Sequence, residues 1–515
     1  MTEKMSEVLL CAVPLENDYK HTLYFESASS QESYFRSKKV YGDTGYSYIR
    51  KESRLRYPRD VDTLRRHVNY IMYRNTSHSN KWYYAFITKM EYANDGQAWI
   101  YFETDVIQTW MFDYLVRPSF IEREHVDSDE IGEHTIEEGL EKGEYICNYH
   151  TRDTELLNTC VVMGSTVTPS DFHNEIGGVY GGVYSGIRYY AYEDFDKVTE
   201  TIQAMADSSK QEAITSLFVA PDFVVGTTGE GEISGTVKTS NDVKSYMYEL
   251  QKKYEDNFQG QYTPKNNKLY TFPYCYLLVT NGNGASAIYH YEKFGLATCT
   301  FIVYGVLCPG VSIRLQPNNY NGAANNFDEG LNLGKYPQCN WATDMYTNWL
   351  TQNGVNVGVS LTNAIAGTVG GAVLGGPAGV VAGGIAGGTA IAQSLYEVYK
   401  ASLMPPQAEG NINCGDVVHS SKNNTFQYYK MSIKPEYAKI IDEYFSMFGY
   451  KCHRVKLPNV NHRANYWYIK TIDVNIDGAV PMDDMAKIKG AYNNGLTFWS
   501  NPNNIKNYAV DNSIK

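Results

Sequence analysis

Lys81-Trp-Tyr-Tyr-Ala-Phe-Ile-Thr, then Asn94-Asp95-Gly96, then Ala98-Trp-Ile-Tyr-Phe-Glu-Thr is the stretch that decides the fold class. Two aromatic, β-rich runs of strand length flank an Asp-Gly pair, and a tight two-residue turn needs the positive φ that glycine supplies at no steric cost. This predicts a β-hairpin. Outward from it, residues 1–125 carry the same mixture of short apolar runs and turn residues. The whole chain holds 45 Tyr, with aromatics at 14% and charged residues at only 20%. Aromatic side chains suit the half-buried surface of a pleated sheet. Tyrosine also suits subunit contacts, where one end of the ring is dry and the other wet. The expected class is mainly β with some α (α+β).

At 515 residues the chain is too long for one core and should divide into roughly two to four domains. Composition marks five segments. Residues 1–126 form a β-rich module. Residues 127–265 form an outer or inserted module. It opens with the acidic run 127–144, read as a solvated connection. It contains Gly177-Gly-Val-Tyr-Gly-Gly-Val-Tyr, read as a turn-rich strand pair, and a helix-like stretch at 192–215. A second β-rich module spans 266–350, turning at Asn281-Gly-Asn-Gly. An apolar segment spans 351–405, and 406–515 mixes strand with a helix-like run from Tyr437 to Phe448.

The net charge of −12 speaks against a protein that grips nucleic acid, because tight backbone binding needs clustered Lys and Arg to displace counterions; an acidic protein can still contact DNA as a surface to which it does not stick. The nine cysteines include no Cys-x-x-Cys pair, so reduced thiols in a chain made in a cytoplasm are expected. The N-terminal Met1-Thr-Glu-Lys-Met-Ser-Glu lacks the apolar run of a signal peptide.

Between Asp344 and Glu397 no charged residue occurs. A membrane span needs about twenty apolar residues, and 355–374 and 378–396 each approach that length. Gly375-Gly376-Pro377 would break a continuous helix, so a two-armed hairpin is expected. Glycines recur every fourth position at Gly367, Gly371, Gly375, Gly379, Gly383 and Gly387, the small-residue strip by which membrane helices pack closely. The apolar side chains between them are small: Val355, Val357, Val359, Leu361, Ile365, Val369, Val373, Leu374, Val380, Val381, Ile385 and Ile391. A buried helical hairpin would carry more Leu, Ile and Phe, and a flexible linker would be polar. The segment is read as membrane-active.

Enzyme signatures are missing. Gly330-Leu-Asn-Leu-Gly-Lys-Tyr is one residue short of a phosphate loop and has Tyr336 where Ser or Thr should hold magnesium. No G-x-S-x-G, H-E-x-x-H or dinucleotide fingerprint occurs. Cys452-His453 with His462 lacks the second pair that a zinc site needs. A non-enzyme is expected, with no catalytic residues, metal or cofactor. The basic residues Lys451, Arg454, Lys456 and Arg463 are candidates for DNA-phosphate or, more simply, intersubunit contacts.

Several blocks taken together resemble one family. They are Asn17-Asp-Tyr-Lys, Lys81-Trp-Tyr-Tyr-Ala-Phe, Asp105-Val-Ile-Gln-Thr-Trp-Met-Phe-Asp and Ser119-Phe-Ile-Glu-Arg-Glu-His-Val. Tyr274-Cys, Pro405-Pro-Gln, Tyr450-Lys-Cys-His-Arg-Val-Lys-Leu-Pro-Asn and Asn494-Gly-Leu-Thr-Phe-Trp follow in colinear order. The chain is similar to the distal tail-tube, or tail knob, proteins of small short-tailed (podovirus, picovirin-like) bacteriophages infecting Gram-positive bacteria; region 145–265 has no clear match. The resemblance implies a homo-hexameric tube at the tail tip, with 1–126, 266–350 and 406–515 as tube modules. It implies that the loop before Pro405 plugs the lumen and then enters the host cytoplasmic membrane as a conduit for the genome. Implied partners are other tail proteins (proximal tube or lower collar, and tip protein), membrane lipids, and phage DNA in transit without sequence specificity. The implied location is the distal tail of a virion assembled in the host cytoplasm. The competing readings are a receptor-binding tail component and a stand-alone pore-forming or lysis protein.

Overall fold

The computed structural model describes residues 6–44, 48–49, 52–75, 79–167, 179–180, 183–184, 188–192, 195–210, 213–225, 244–307, 311–321, 329–333, 336, 338–340, 424–459 and 461–515. The chain is mostly β-strand with some helices and divides into two compact units. The first comprises Met1–Lys142, Pro264–Leu269 and Glu436–Lys515; the second comprises Gly143–Thr263 and Tyr270–Pro435. Segment 406–515 therefore contributes to both units.

In the first unit the hairpin forms as the sequence predicts. Tyr83–Asn94 pairs antiparallel with Gln97–Thr104, and Gly96 takes φ +71° in the turn. These two strands lie inside a seven-stranded sheet ordered Lys39–Thr44, Ser6–Cys11, Tyr70–Asn75, Tyr83–Asn94, Gln97–Thr104, Arg54–Tyr57, Tyr48–Ile49. Side chains alternate between faces along a strand, and here both faces are covered. Val8, Leu10, Ile71, Tyr73, Ala85, Ile100 and Phe102 fill one core, where helix Val61–His67 adds Val61 and Leu64. Leu9, Cys11, Tyr70, Met72, Tyr84 and Phe86 fill another, which helix Ala28–Ser37 caps with Phe35. This double burial explains why the strands read as continuous aromatic runs and not as alternation. Both helices begin on side-chain caps: Asp60 accepts from Thr63 N at 2.9 Å, and Ser27 with Ser30 forms a reciprocal box.

A five-stranded sheet in the same unit runs His21–Leu23, Leu496–Trp499, Tyr466–Asp473, Ser119–Glu124, Tyr450–Lys456. His21–Leu23 pairs parallel with Leu496–Trp499, and the remaining pairs are antiparallel. Helix Met482–Asn494 and the short helix Val106–Trp110 close a third core with Trp467, Ile469 and Phe498. Helix Pro435–Phe448 covers the expected helical run and ends at Gly449, at φ +65°.

The second unit holds three four-stranded sheets. Tyr145–Arg152, Gln427–Ile433, Cys275–Thr280 and Ser286–Tyr289 make one; Arg188–Tyr192, Thr159–Ser165, Ile214–Pro221 and Gln338–Asn340 make the next; Lys244–Gln251, Thr298–Val306, Ser312–Asn318 and Leu331–Asn332 make the third. Val179–Tyr180 pairs with Val183–Tyr184, so the doubled Gly-Gly-Val-Tyr does form a strand pair. Helix Phe195–Asp207 falls within the helix-like stretch.

One expectation is corrected. The acidic run 127–144 is not simply a solvated connection. Glu138 has a fully buried side chain, ion-paired to Arg123 and to Lys268, which are themselves buried, and its Oε1 accepts Lys451 N–H at 3.0 Å. Asp129 accepts from Tyr450 Oη at 2.6 Å and from Asn267 N at 3.0 Å. Two cations and several donors converge here, which is what lets a carboxylate leave water.

Candidate functional site

Strand Tyr450–Lys456 carries three of the four basic candidates and forms one edge of the five-stranded sheet. Its register against Ser119–Glu124 places Lys451 opposite Arg123, Arg454 opposite Ile121 and Lys456 opposite Ser119. Lys451 is half-buried and donates its backbone N–H to Glu138. Lys456 is ion-paired with the buried Glu124, whose Oε2 also accepts Asn459 N–H at 2.9 Å. Arg454 is exposed. Arg463 lies apart from the strand and is only 7% exposed; its Nε donates to Val126 O at 3.0 Å. Of the four, Arg454 presents the most accessible charge. Lys456 and Arg463 are tied into the fold.

Between these charges sit apolar side chains. Val455 is 66% exposed and Leu457 60% exposed. Phe120 is the register partner of both Val455 and Asp473, so these three form one row across three strands. His453, at φ +45°, sets its ring edge-on to Phe120 with centroids 6.2 Å apart. Exposed apolar groups on an edge strand mark contact surfaces, while lysine and arginine on the same edge oppose indiscriminate pairing. Sequence reasoning picked the basic residues and missed their neighbours. The signal was the interleaved Arg454-Val455-Lys456-Leu457, in which charge and exposed apolar surface alternate.

The membrane-active candidates, from Val355 to Ile391, lie outside the described residues. The described residues on either side both belong to the second unit. Strand Gln338–Asn340 pairs with Ser216, Leu217 and Phe218. Past the segment, Thr425 Oγ1 donates to Asp153 O, and Asp153 N donates to Phe426 O at 3.0 Å. Among the described residues no helix is long and apolar enough to cross a membrane, and no group of three or more His, Cys, Asp or Glu could hold a metal ion.

The chain is thus a two-unit, β-rich protein with exposed apolar side chains at one sheet edge. The family model for the C-terminal domain of the tail knob protein gp9 of Bacillus phage phi29 matches residues 236–513, and that for the N-terminus of the Caudoviral major tail protein matches residues 4–115. The chain belongs to the phi29 gp9 tail knob family and is a structural component of a bacteriophage tail. It is 26% identical to the tail knob protein gp9 of Bacillus phage B103, over 98% of this chain and 97% of that one. It is 27% identical to gp9 of Bacillus phage PZA, over 98% of each chain. The structure of the bacteriophage C1 tail knob protein, gp12, shares the fold at a TM-score of 0.65 and 15% identity, covering 99% of this chain and 100% of that one.

Proposed function

We propose that this tail knob protein assembles as a hexameric tube at the distal tail and serves as a DNA conduit, with no enzymatic step of its own. Its apolar segments plug the lumen and then insert into the host cytoplasmic membrane as a pore for genome ejection. The observation that carries the reading is the absence of any charged residue between Asp344 and Glu397, in a chain otherwise one-fifth charged. Such a stretch can cross lipid if its backbone groups pair internally. The net charge of −12 supports a wall along which DNA slides without sticking. Partners are further copies of the chain, neighbouring tail proteins and membrane lipid. Lys451 and Arg454 serve intersubunit contact in preference to DNA, because apolar Val455 and Leu457 accompany them.

The test is deletion of residues 355–396. Electron microscopy should show six-fold rings from both the full chain and the deletion. Only the full chain should release dye from phospholipid liposomes. Equal leakage from both would remove the membrane role, and monomers from the full chain would remove the tube.

A further inference from the structure

The first unit carries an open cavity of about 450 Å³, bounded by His125, Lys265, Ser446, Arg463, Tyr466 and the C-terminal run 508–513. Arg463 is the unusual member. It is buried, and its hydrogen bonds among the described residues go to two backbone carbonyls, Val126 O from Nε at 3.0 Å and Asn512 O from Nη1 at 3.5 Å. Among the described residues no carboxylate forms an ion pair with it. Asp129 is the acid whose charge it feels most, but that carboxylate already accepts from Tyr450 and Asn267. Asp127 also acts on it from a distance. A guanidinium keeps its proton at any ordinary pH, so a buried one with no directly paired carboxylate is costly.

The other lining groups leave that charge standing. His125 is neutral: burial first, then the charge of Arg463, push its pKa down to about 3. Its Nδ1 accepts Tyr468 N–H at 2.7 Å, which leaves the proton on Nε2, 3.0 Å from Ser446 O. Lys265 is exposed at the rim, and its backbone N–H donates to Asp442. Asp511 also borders the cavity, with Oδ1 accepting from Ser513 N at 3.1 Å. Tyr466 and Tyr508 form an aromatic wall with centroids 5.1 Å apart, and both pack on Trp499.

We propose that this cavity binds a small organic oxyanion, its acidic group on Arg463, Lys265 at the rim and its body against Tyr466 and Tyr508. The volume falls in the range of small-molecule sites. Asp511 at the mouth and the chain's overall negative charge turn away a polyanion such as a nucleic-acid backbone. The site stands in the first unit and does not depend on the apolar segment.

Both wall tyrosines pack on Trp499, one of seven tryptophans, so the part of the emission response that is lost in Trp499→Phe reports on the site. The intact protein is titrated at constant ionic strength with inorganic phosphate and, separately, with citrate, using chloride as the reference anion. A saturable response to either anion and not to chloride is expected, and the more effective of the two tells a phosphate-bearing from a carboxylate-bearing ligand. Lys265→Gln, at an exposed position, should weaken it about two- to fivefold. Arg463→Gln should weaken it at least about tenfold, and Arg463→Lys, which keeps the charge and loses the planar fork, should fall between. Two results overturn the proposal: no saturable response to either anion, or a response unchanged in Lys265→Gln and Arg463→Lys. Arg463 would then be only a clamp on the C-terminal run.

Discussion

Tyr246 donates its phenolic hydrogen to Oδ2 of Asp153 at 2.5 Å, inside the second unit. Asp153 is fully buried, and Glu155, Tyr248, Tyr336 and Tyr428 also act on its charge or feel it; no cation among the described residues does. Burial therefore dominates and lifts the Asp153 carboxyl from 3.8 to about 6, with Tyr246 pulling the other way. The folded state favours the protonated acid. The stability it contributes is complete below pH 3.8 and is lost as pH rises through about 6.

Asp153→Asn removes that dependence. Relative to the variant, the natural protein should lose about 3 kcal/mol of stability between pH 3.8 and pH 7, since each pKa unit corresponds to about 1.4 kcal/mol. Denaturant midpoints of both proteins at pH 4 and pH 7.5 measure this. A difference between them that does not change with pH would refute the assignment.

Glu138→Ala leaves Arg123 and Lys268 buried without their shared carboxylate. Removing one member of a buried pair costs about 3–5 kcal/mol. Glu137, next in the chain and exposed, should tolerate alanine within about 0.5 kcal/mol. Similar unfolding midpoints for the two variants would return the acidic run to the status of a solvated connection.

Two glycines should respond in opposite directions. A Cβ on Gly449 would lie 2.1 Å from Glu124 O, at a φ of +65°, so Gly449→Ala should cost at least about 2 kcal/mol. Gly490 sits in helix Met482–Asn494, where an added Cβ would meet nothing within 4 Å beyond its chain neighbours and the helix's own backbone. Gly490→Ala should stabilise by about 0.5–1 kcal/mol. Thermal melts of the two variants against the natural protein check both signs.

For the proposed pore, Val373→Asp with Val381→Asp places one charge in each apolar arm, at about 2.5–3.5 kcal/mol each on insertion scales. Liposome leakage should fall sharply while rings persist on microscopy. Undiminished leakage would make the segment an internal plug or packing hairpin.

The features legible in the sequence are those specified by neighbouring residues. Asp95-Gly96 dictates its turn, the doubled Gly-Gly-Val-Tyr dictates a strand pair, and the periodic run from Tyr437 to Phe448 dictates a helix. What stayed hidden depends on partners far along the chain. Glu138 looks solvated until Arg123 and Lys268 are seen to meet it, and Lys268 belongs to a six-residue excursion, Pro264–Leu269, that returns to the first unit. Arg463 looked like surface charge for the same reason: composition records a basic cluster but not that one member lies under residues 508–513. The candidate site was half legible, its charges visible and its exposed Val455 and Leu457 unremarked.

The parallel pairing of His21–Leu23 with Leu496–Trp499 has a consequence for biosynthesis. All four pairings in that sheet use a strand that follows Glu436, so translation must pass Trp499 before the sheet can close. The second unit, finished earlier, can fold while its host unit is still waiting for its final strands. A chain cut short by premature termination would leave the row of backbone groups along Ser119–Glu124 open on both sides. Such an open edge templates pairing with other chains, so a truncated product is an aggregation hazard.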